Sequence, residues 1–285
     1  MKAEAPAKIN LLLEVGGRRP DGFHDLYSLV EPITLFDTLT ILPADGICTI
    51  FDSPWPIDPL HNTVQKAILL LKQQCGVSSG IRVTVRKRIP AGAGLGGGSS
   101  DAAAILSALN RLWRLSLPRE ELCRIGAQVG SDVPLFFFNR RVIMEGRGDV
   151  VIPVARTPVF WYLLAIPPFQ VSTERVYEQL DKRAGAGDLT SAVARSKLFR
   201  RAMRRKDLRI MESLMVNHLQ EVTENTWNDI KLMRVALEAA SGRKFLLSGS
   251  GGTLFAVFGT KRDAEATLPV LTLRGWAGVV VGTVS

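Results

Sequence analysis

The chain has 285 residues, 46% hydrophobic and 22% charged, an ordinary globular composition long enough for one large domain or two modest ones. No apolar run approaches the roughly 18 residues of a membrane span, and three scattered cysteines and three isolated histidines give neither a disulfide framework nor a zinc-ligand spacing. A formal net charge of +9 points to an anionic partner, whether nucleic acid, a membrane surface or a small polyanion.

In chain order, MKAEAPAKINLLLEV alternates apolar and polar residues and lacks an A-x-A-like cleavage site, so no signal peptide is read and a cytoplasmic protein is expected. Within it Ala7, Ile9, Leu11, Leu13 and Val15 share one face and Lys8, Asn10, Leu12 and Glu14 the other, which is strand periodicity. RRPDGFHDL (18–26) reads as a turn and LVEPITLFDTLTIL (29–42) as extended chain. Over 61–76, Val64, Ala67, Ile68, Leu71 and Cys75 follow the helical period, with Gly76 as a stop. IRVTVRKRI (81–89) is a strand that leads into PAGAGLGGGSSDAAA (90–104), where five glycines occupy seven positions.

Ala102, Ile105, Leu106, Leu109, Leu112 and Trp113 then mark an amphipathic helix, with Ser99 or Ser100 as its expected N-cap. A second helix spans 118–130, from Pro118 to Gly130, and SDVPLFFF (131–138) reads as a strand. Past Pro153 come a strand (159–166), a Pro167-Pro168 break, a polar helical stretch (172–240) and strands around 254–258 and 277–284. A soft boundary falls at 153–157. The basic run RSKLFRRAMRRKDLR (195–209) pairs Arg200 with Arg204 and Arg201 with Arg205 and alternates them with Leu198, Phe199, Met203 and Leu208. It reads as an amphipathic helix with a solvated basic face, because no aromatic stacking platform accompanies it.

Glycines just before a helix let a phosphate approach unsatisfied backbone N–H groups at the positive end of the helix dipole. A phosphate cradle and a flexible loop both account for the cluster. No Gly-Lys pair occurs in the chain, so it is not a Walker loop. Gly92, Gly94 and Gly97 satisfy G-x-G-x-x-G, but Glu120 and Glu121, at about the right distance for a dinucleotide site, sit at a helix start. The V-A-I-K, H-R-D and D-F-G motifs of protein kinases are missing. Asp132, between Gly130 and Pro134, suits either a general base held by stiff neighbours or a turn aspartate. Lys8 by itself reads as a surface lysine.

PAGAGLGGGSSDAA resembles the phosphate-binding motif of the GHMP kinases, and APAKINLLLEV and LSGSGGTLFAVF (247–258) resemble that family's N- and C-terminal motifs, in the same order. The triple glycine before Ser-Ser, the turn R-x-D-G-F-H, IGAQVGSDVPLFF and EGRGD (145–149) are most similar to the branch that acts on a cytidine-diphosphate-linked methylerythritol. The resemblance implies an α+β, two-domain GHMP kinase fold. Its N-terminal nucleotide-binding domain (1–155) carries a mixed sheet and helices, and its C-terminal substrate domain (156–285) is ferredoxin-like. It further implies ATP-dependent phosphorylation of the substrate's 2-hydroxyl in the non-mevalonate route to isoprenoids, with another GHMP kinase of homoserine or mevalonate type as the alternative.

By the same resemblance Asp132 is the base and Lys8 the orienting cation. Pro90, Ala91, Gly92, Ala93, Gly94, Leu95, Gly96, Gly97, Gly98, Ser99 and Ser100 would hold ATP, with Mg2+ on its phosphates and the metal's ligands unidentified. Asn10, Phe23, His24, Thr173, Tyr177, Gly249 and Gly251 would bind substrate, with Phe23 where many relatives carry Tyr. The expected partner is a small molecule, with no nucleic acid or membrane, for a monomer or homodimer.

Overall fold

A computed structural model of the chain describes residues 1–58, 60–155, 158–182 and 189–284. In order the elements are β1 (Lys2–Arg18), β2 (His24–Ala44), β3 (Ile47–Asp52), α1 (Thr63–Cys75), β4 (Gly80–Arg86), α2 (Gly97–Leu112) and α3 (Arg119–Val129). A 3-10 turn over Pro134–Phe137 follows, then β5 (Val142–Glu145), β6 (Val150–Pro153), β7 (Trp161–Ile166), α4 (Thr173–Asp181), α5 (Thr190–Arg205), α6 (Leu208–Leu214) and β8 (Val216–Asn217). The chain closes with α7 (Gln220–Thr226), α8 (Asn228–Ser241), β9 (Leu246–Leu247), β10 (Leu254–Phe258), α9 (Lys261–Thr272) and β11 (Ala277–Gly282).

Two compact units interleave along the sequence: Met1–Lys8, Thr34–Ala91 and Gly96–Asn139 form the first, and Ile9–Ile33, Gly92–Leu95 and Arg140–Ser285 the second. In the first, the C-terminal half of β2 pairs antiparallel with β4, from Thr38 opposite Arg86 to Ala44 opposite Gly80, and β3 lies parallel to β4. Helices α1, α2 and α3 pack on one another. Their buried residues, Val64, Ile68 and Leu71 on α1, Ile105 and Leu109 on α2, and Ile125 and Val129 on α3, recur at helical spacing.

In the second unit the N-terminal half of β2 pairs with β5, β5 with β6, and β1 lies parallel to β8. The sheet is therefore mixed, in the order β3-β4-β2-β1-β8 with β5 and β6 off that path. A separate four-stranded sheet runs β11-β7-β10-β9 with every neighbouring pair antiparallel. Its strands β7, β9, β10 and β11 follow the split β-α-β-β-α-β order, with α9 between β10 and β11. α9 packs on β7, β10 and β11, and the core there is built around Leu163, Phe245, Leu247, Leu254 and Ala256.

Several local readings are corrected. Residues 131–138 form a turn and a 3-10 helix rather than a strand: Pro134 stands at its first positions and Val133 has helical dihedrals. The fixed φ of proline and its missing N–H favour that turn over a sheet ladder. Helix α2 begins at Gly97 and is capped by Gly96, φ 70°, so Ser99 and Ser100 lie inside the first turn and neither is the N-cap. The alternation along 7–15 does not separate a wet face from a dry one, because every residue from Ala5 to Gly16 is buried.

Candidate active site

In the first unit, β1 carries Lys8 at 5% exposure, the reverse of the surface position its residue type suggests. Its Nζ lies 3.5 Å from Asp132 Oδ2, and the Asp132 side chain keeps 37% of its surface. Asp132 owes its place to the end of α3. Gly130 leaves the helix in an extended conformation, the Val133 N–H donates back to Gly130 O at 3.1 Å, and Pro134 starts the next turn. The carboxylate is thereby fixed at a bend with both flanks braced, open to solvent on one side and paired to a buried ammonium on the other.

The N-terminus of α2 closes on the same lysine. A Cβ on Gly96 would stand 2.9 Å from Lys8 Cγ and 3.1 Å from Phe136 Cζ, so the cap fits over the lysine stem only as glycine. No side chain caps the helix, which leaves its first N–H groups to whatever anion approaches them. Thr63 Oγ1 donates to Gly98 O at 2.6 Å and ties the turn to the start of α1. Ser99 is half-buried, and the Ser100 hydroxyl is buried without a hydrogen-bond partner.

Beneath this turn lies a charged cluster that sequence reasoning missed. Lys87 Nζ donates to Asp101 Oδ2 at 2.6 Å and also to Asp37 Oδ2. Asp37 Oδ1 accepts the N–H groups of Arg88 at 2.5 Å and Ile89 at 2.9 Å. Burial pushes the Asp101 carboxyl up to about 7 against the opposing pull of Lys87. Burial also draws the Lys87 ammonium down, but the two carboxylates outweigh it and leave it above its ordinary value. The only sequence signal was an aspartate in the otherwise small and apolar first turns of α2.

The remaining expected residues fall in the second unit, with Pro90 and Ala91 the exceptions. Gly92–Leu95 meets the third glycine motif backbone to backbone: a Cβ on Gly251 would stand 2.1 Å from Gly94 N, and one on Gly94 would stand 2.1 Å from Ser248 O. Ser248 Oγ donates to Gly94 O at 3.1 Å. Asn217 Nδ2 donates to Leu247 O and Gly249 O, each at 2.8 Å, and so fixes the turn in which Gly249 takes φ 58°. Gly94 and Gly251 are thus required by each other, before any ligand is considered. Asn217 and Ser248 were not singled out from sequence, since a lone Asn or Ser beside a glycine run reads as loop.

His24 Nε2 lies 2.8 Å from Asp181 Oδ1, and its ring centroid is 5.3 Å from that of Tyr177. Phe23 is 49% exposed with the Arg147 guanidinium 5.3 Å from its ring centre. The two aromatics expected to read one base therefore have different neighbours, Arg147 for Phe23 and His24 for Tyr177. Asn10 Nδ2 donates to Ser28 Oγ at 2.8 Å, and Thr173 Oγ1 lies 2.7 Å from Ser250 Oγ, which joins the start of α4 to the glycine turn. Among the described residues no group of three or more His, Cys, Asp and Glu side chains could hold a metal ion, and no helix is long and apolar enough to cross a membrane.

Residues 62–140 match the family model for the GHMP kinases N terminal domain. The chain is 37% identical over 270 residues to a 4-diphosphocytidyl-2-C-methyl-D-erythritol kinase of Thermodesulfovibrio yellowstonii, covering 94% of this chain and 93% of the relative. A crystal structure of 4-(cytidine 5'-diphospho)-2C-methyl-D-erythritol kinase superposes with a TM-score of 0.83 at 30% identity over the full length of both chains. A homoserine kinase from Cytophaga hutchinsonii shares the fold at a TM-score of 0.74 and 19% identity, covering 99% of this chain and 94% of that one. The chain belongs to the 4-diphosphocytidyl-2-C-methyl-D-erythritol kinase family of GHMP kinases.

Proposed function

We propose that the protein transfers the γ-phosphoryl group of ATP to the 2-hydroxyl of 4-diphosphocytidyl-2-C-methyl-D-erythritol, a step of isoprenoid precursor synthesis by the non-mevalonate route. The observation that carries the reading is the pairing of buried Lys8 with half-open Asp132 beside a helix N-terminus that no side chain caps. Asp132 accepts the proton of the attacking hydroxyl. The resulting oxygen bonds to the γ-phosphorus as the bond to the β–γ bridging oxygen breaks, and ADP leaves. Lys8 holds the carboxylate in place and offsets negative charge that grows on the transferring group. Phosphoryl transfer asks mainly for this positioning and electrostatic support.

The glycine loop, Pro90 to Ser100, is the ATP-phosphate cradle in this reading. The uncapped N–H groups at the start of α2 and the unpartnered Ser100 hydroxyl suit phosphate oxygens. Mg2+ bound to the triphosphate would neutralise part of its charge. Asn10, Phe23, His24, Thr173, Tyr177, Gly249 and Gly251 bind the cytidyl diphosphate substrate. Phe23 keeps the stacking face of an aromatic reader and lacks the phenol hydroxyl of a tyrosine. The division into a nucleotide domain (1–155) and a substrate domain (156–285), a cytoplasmic location, and action as a monomer or homodimer without nucleic acid or membrane complete the proposal.

A substrate panel tests it. With ATP and Mg2+, ADP release should require the cytidyl substrate and stay at background with homoserine or mevalonate. Turnover of either of those alcohols, with none of the cytidyl compound, contradicts the assignment.

A further inference from the structure

Beneath the glycine helix the protein buries two carboxylates with one ammonium. Asp37 is 0%, Asp101 1% and Lys87 8% exposed. With all three ionised the cluster carries a net charge of −1, in a place where solvent and salt screen little. The two acids are not equivalent. Asp37 accepts two backbone N–H groups on Oδ1 and the Lys87 ammonium on Oδ2, so both of its oxygens are satisfied. Asp101 has Lys87 on Oδ2, and its Oδ1 is buried with no hydrogen-bond partner. The charged groups facing Asp101 are Lys87 and Asp37, and those facing Lys87 are the two carboxylates.

The cluster also sits where a phosphate would feel it. Asp101 is in the second turn of α2, about 6 Å along the axis from its first residue at 1.5 Å per residue. Lys87 Nζ lies 3.3 Å from where a Cβ on Gly97 would stand, against the backbone of the helix's first residue. An anion at that helix end faces one cation whose charge is cancelled twice over.

We infer that Asp101 is a positioning residue for the glycine helix, acting through Lys87, and that nucleotide binding drives a proton from solvent onto the Asp37–Lys87–Asp101 cluster. The inference rests on the glycine loop being the nucleotide site. Phosphate charge at the start of α2 repels a buried carboxylate, and Asp101 is the group able to yield. Protonated, it replaces carboxylate repulsion with a hydrogen bond to Asp37 and brings the cluster to neutrality, so the field of Lys87 supports the phosphate. Because burial already pushes the Asp101 carboxyl up to about 7, completing its protonation takes up a fraction of a proton per nucleotide near pH 7.

The test is calorimetry of MgATP binding to the full chain at pH 7, without alcohol substrate, in buffers of different ionisation enthalpy. The slope of observed enthalpy against buffer enthalpy counts the protons. Measurable uptake, below one proton per nucleotide, is expected for the wild type and close to none for Asp101→Asn, which keeps the shape and cannot titrate. In the wild type alone, affinity should hold steady below about pH 7 and fall as pH rises above it, levelling off only once Asp101 ionises in the complex as well, a readout that survives if the variant fails to fold. Tight MgATP binding with no proton uptake and a flat pH profile overturns the inference while leaving the nucleotide site standing. Uptake that persists in Asp101→Asn also overturns it, by placing the proton elsewhere. No MgATP binding at any pH removes the nucleotide site itself, and this inference with it.

Discussion

Lys8 and Asp132 meet as an ion pair of unequal exposure, the ammonium 6% and the carboxylate 37% open, with 3.5 Å between Nζ and Oδ2. In the proposed mechanism the buried ammonium orients and the open carboxylate is the general base. Lys8→Met should lower kcat by about a hundred- to a thousandfold, the usual loss when a charge-stabilising donor is removed. It should leave the KM for ATP within a few-fold. A rise in KM with kcat intact, measured by steady-state kinetics, would make Lys8 a binding group instead.

The contact between the two glycine loops carries a stability prediction. At Gly251 a methyl group would overlap Gly94 N and the carbonyl carbon of Ala93. Backbone, unlike a side chain, has no rotamer to retreat into. Gly251→Ala should destabilise the fold by about 1–3 kcal/mol or more, seen as a lowered midpoint in urea titration. A midpoint unchanged from wild type would show that the loops separate readily.

Phe23 should matter to one substrate and not the other. Truncation to alanine removes a stacking face worth about 1–3 kcal/mol, so KM for the cytidyl substrate should rise about five- to hundredfold with KM for ATP unaffected. Phe23→Tyr should retain or improve the cytidyl KM. Equal rises in both constants after Phe23→Ala would point to a disturbed fold.

In the second unit the Arg141 guanidinium pairs with Glu31, which also accepts the Tyr162 hydroxyl at 3.1 Å. Arg141 donates to Pro158 O and Thr283 Oγ1, each at 3.1 Å. Glu31 is fully buried, so Arg141→Met strands a charge and should destabilise by about 3–5 kcal/mol. Adding Glu31→Gln should recover much of that loss in thermal denaturation, and failure to recover would mean that the packing of Arg141 matters more than its charge.

Asp101 gives a pH dependence with a definite sign. Its folded carboxyl titrates at about 7 against an ordinary 3.8, chiefly through burial, so the folded chain keeps a proton that the unfolded chain releases. Its stabilising share is complete below the ordinary value and lost as pH rises toward the folded one. Asp101→Asn should therefore flatten the decline in Tm between about pH 4 and about pH 7. A wild-type Tm rising over that range because of Asp101 would reverse the sign and contradict its burial.

Much of this arrangement was legible in the sequence. Strand alternation around Lys8, the helical periods on either side of the glycine run, and the three ordered motifs marked Lys8 and the two glycine loops, and IGAQVGSDVPLFF marked Asp132. What was not legible depended on tertiary context. The apolar run at 131–138 has no period to tell strand from turn, and Pro134 decided it. Serine is a favoured N-cap, yet a left-handed Gly96 packed over Lys8 took that place. The short strands at Ile47–Asp52, Val142–Glu145 and Val150–Pro153 gave little pattern, and Pro269 inside α9 masked a helix. The pairing of Lys87 with Asp37 and Asp101, and the fit of Gly94 against Gly251, join residues far apart in the chain that no local signal connects.

The most direct test follows label from the γ-phosphate of ATP into the cytidyl substrate in a single turnover, for wild type and Asp132→Asn side by side with MgATP binding. Label should appear on the methylerythritol 2-oxygen with wild type. With Asp132→Asn it should fall by at least about a hundredfold, the usual share of a general base, while nucleotide affinity stays near wild type. Full transfer by the Asn variant, or no transfer by the wild type under conditions where MgATP binds, would contradict the account.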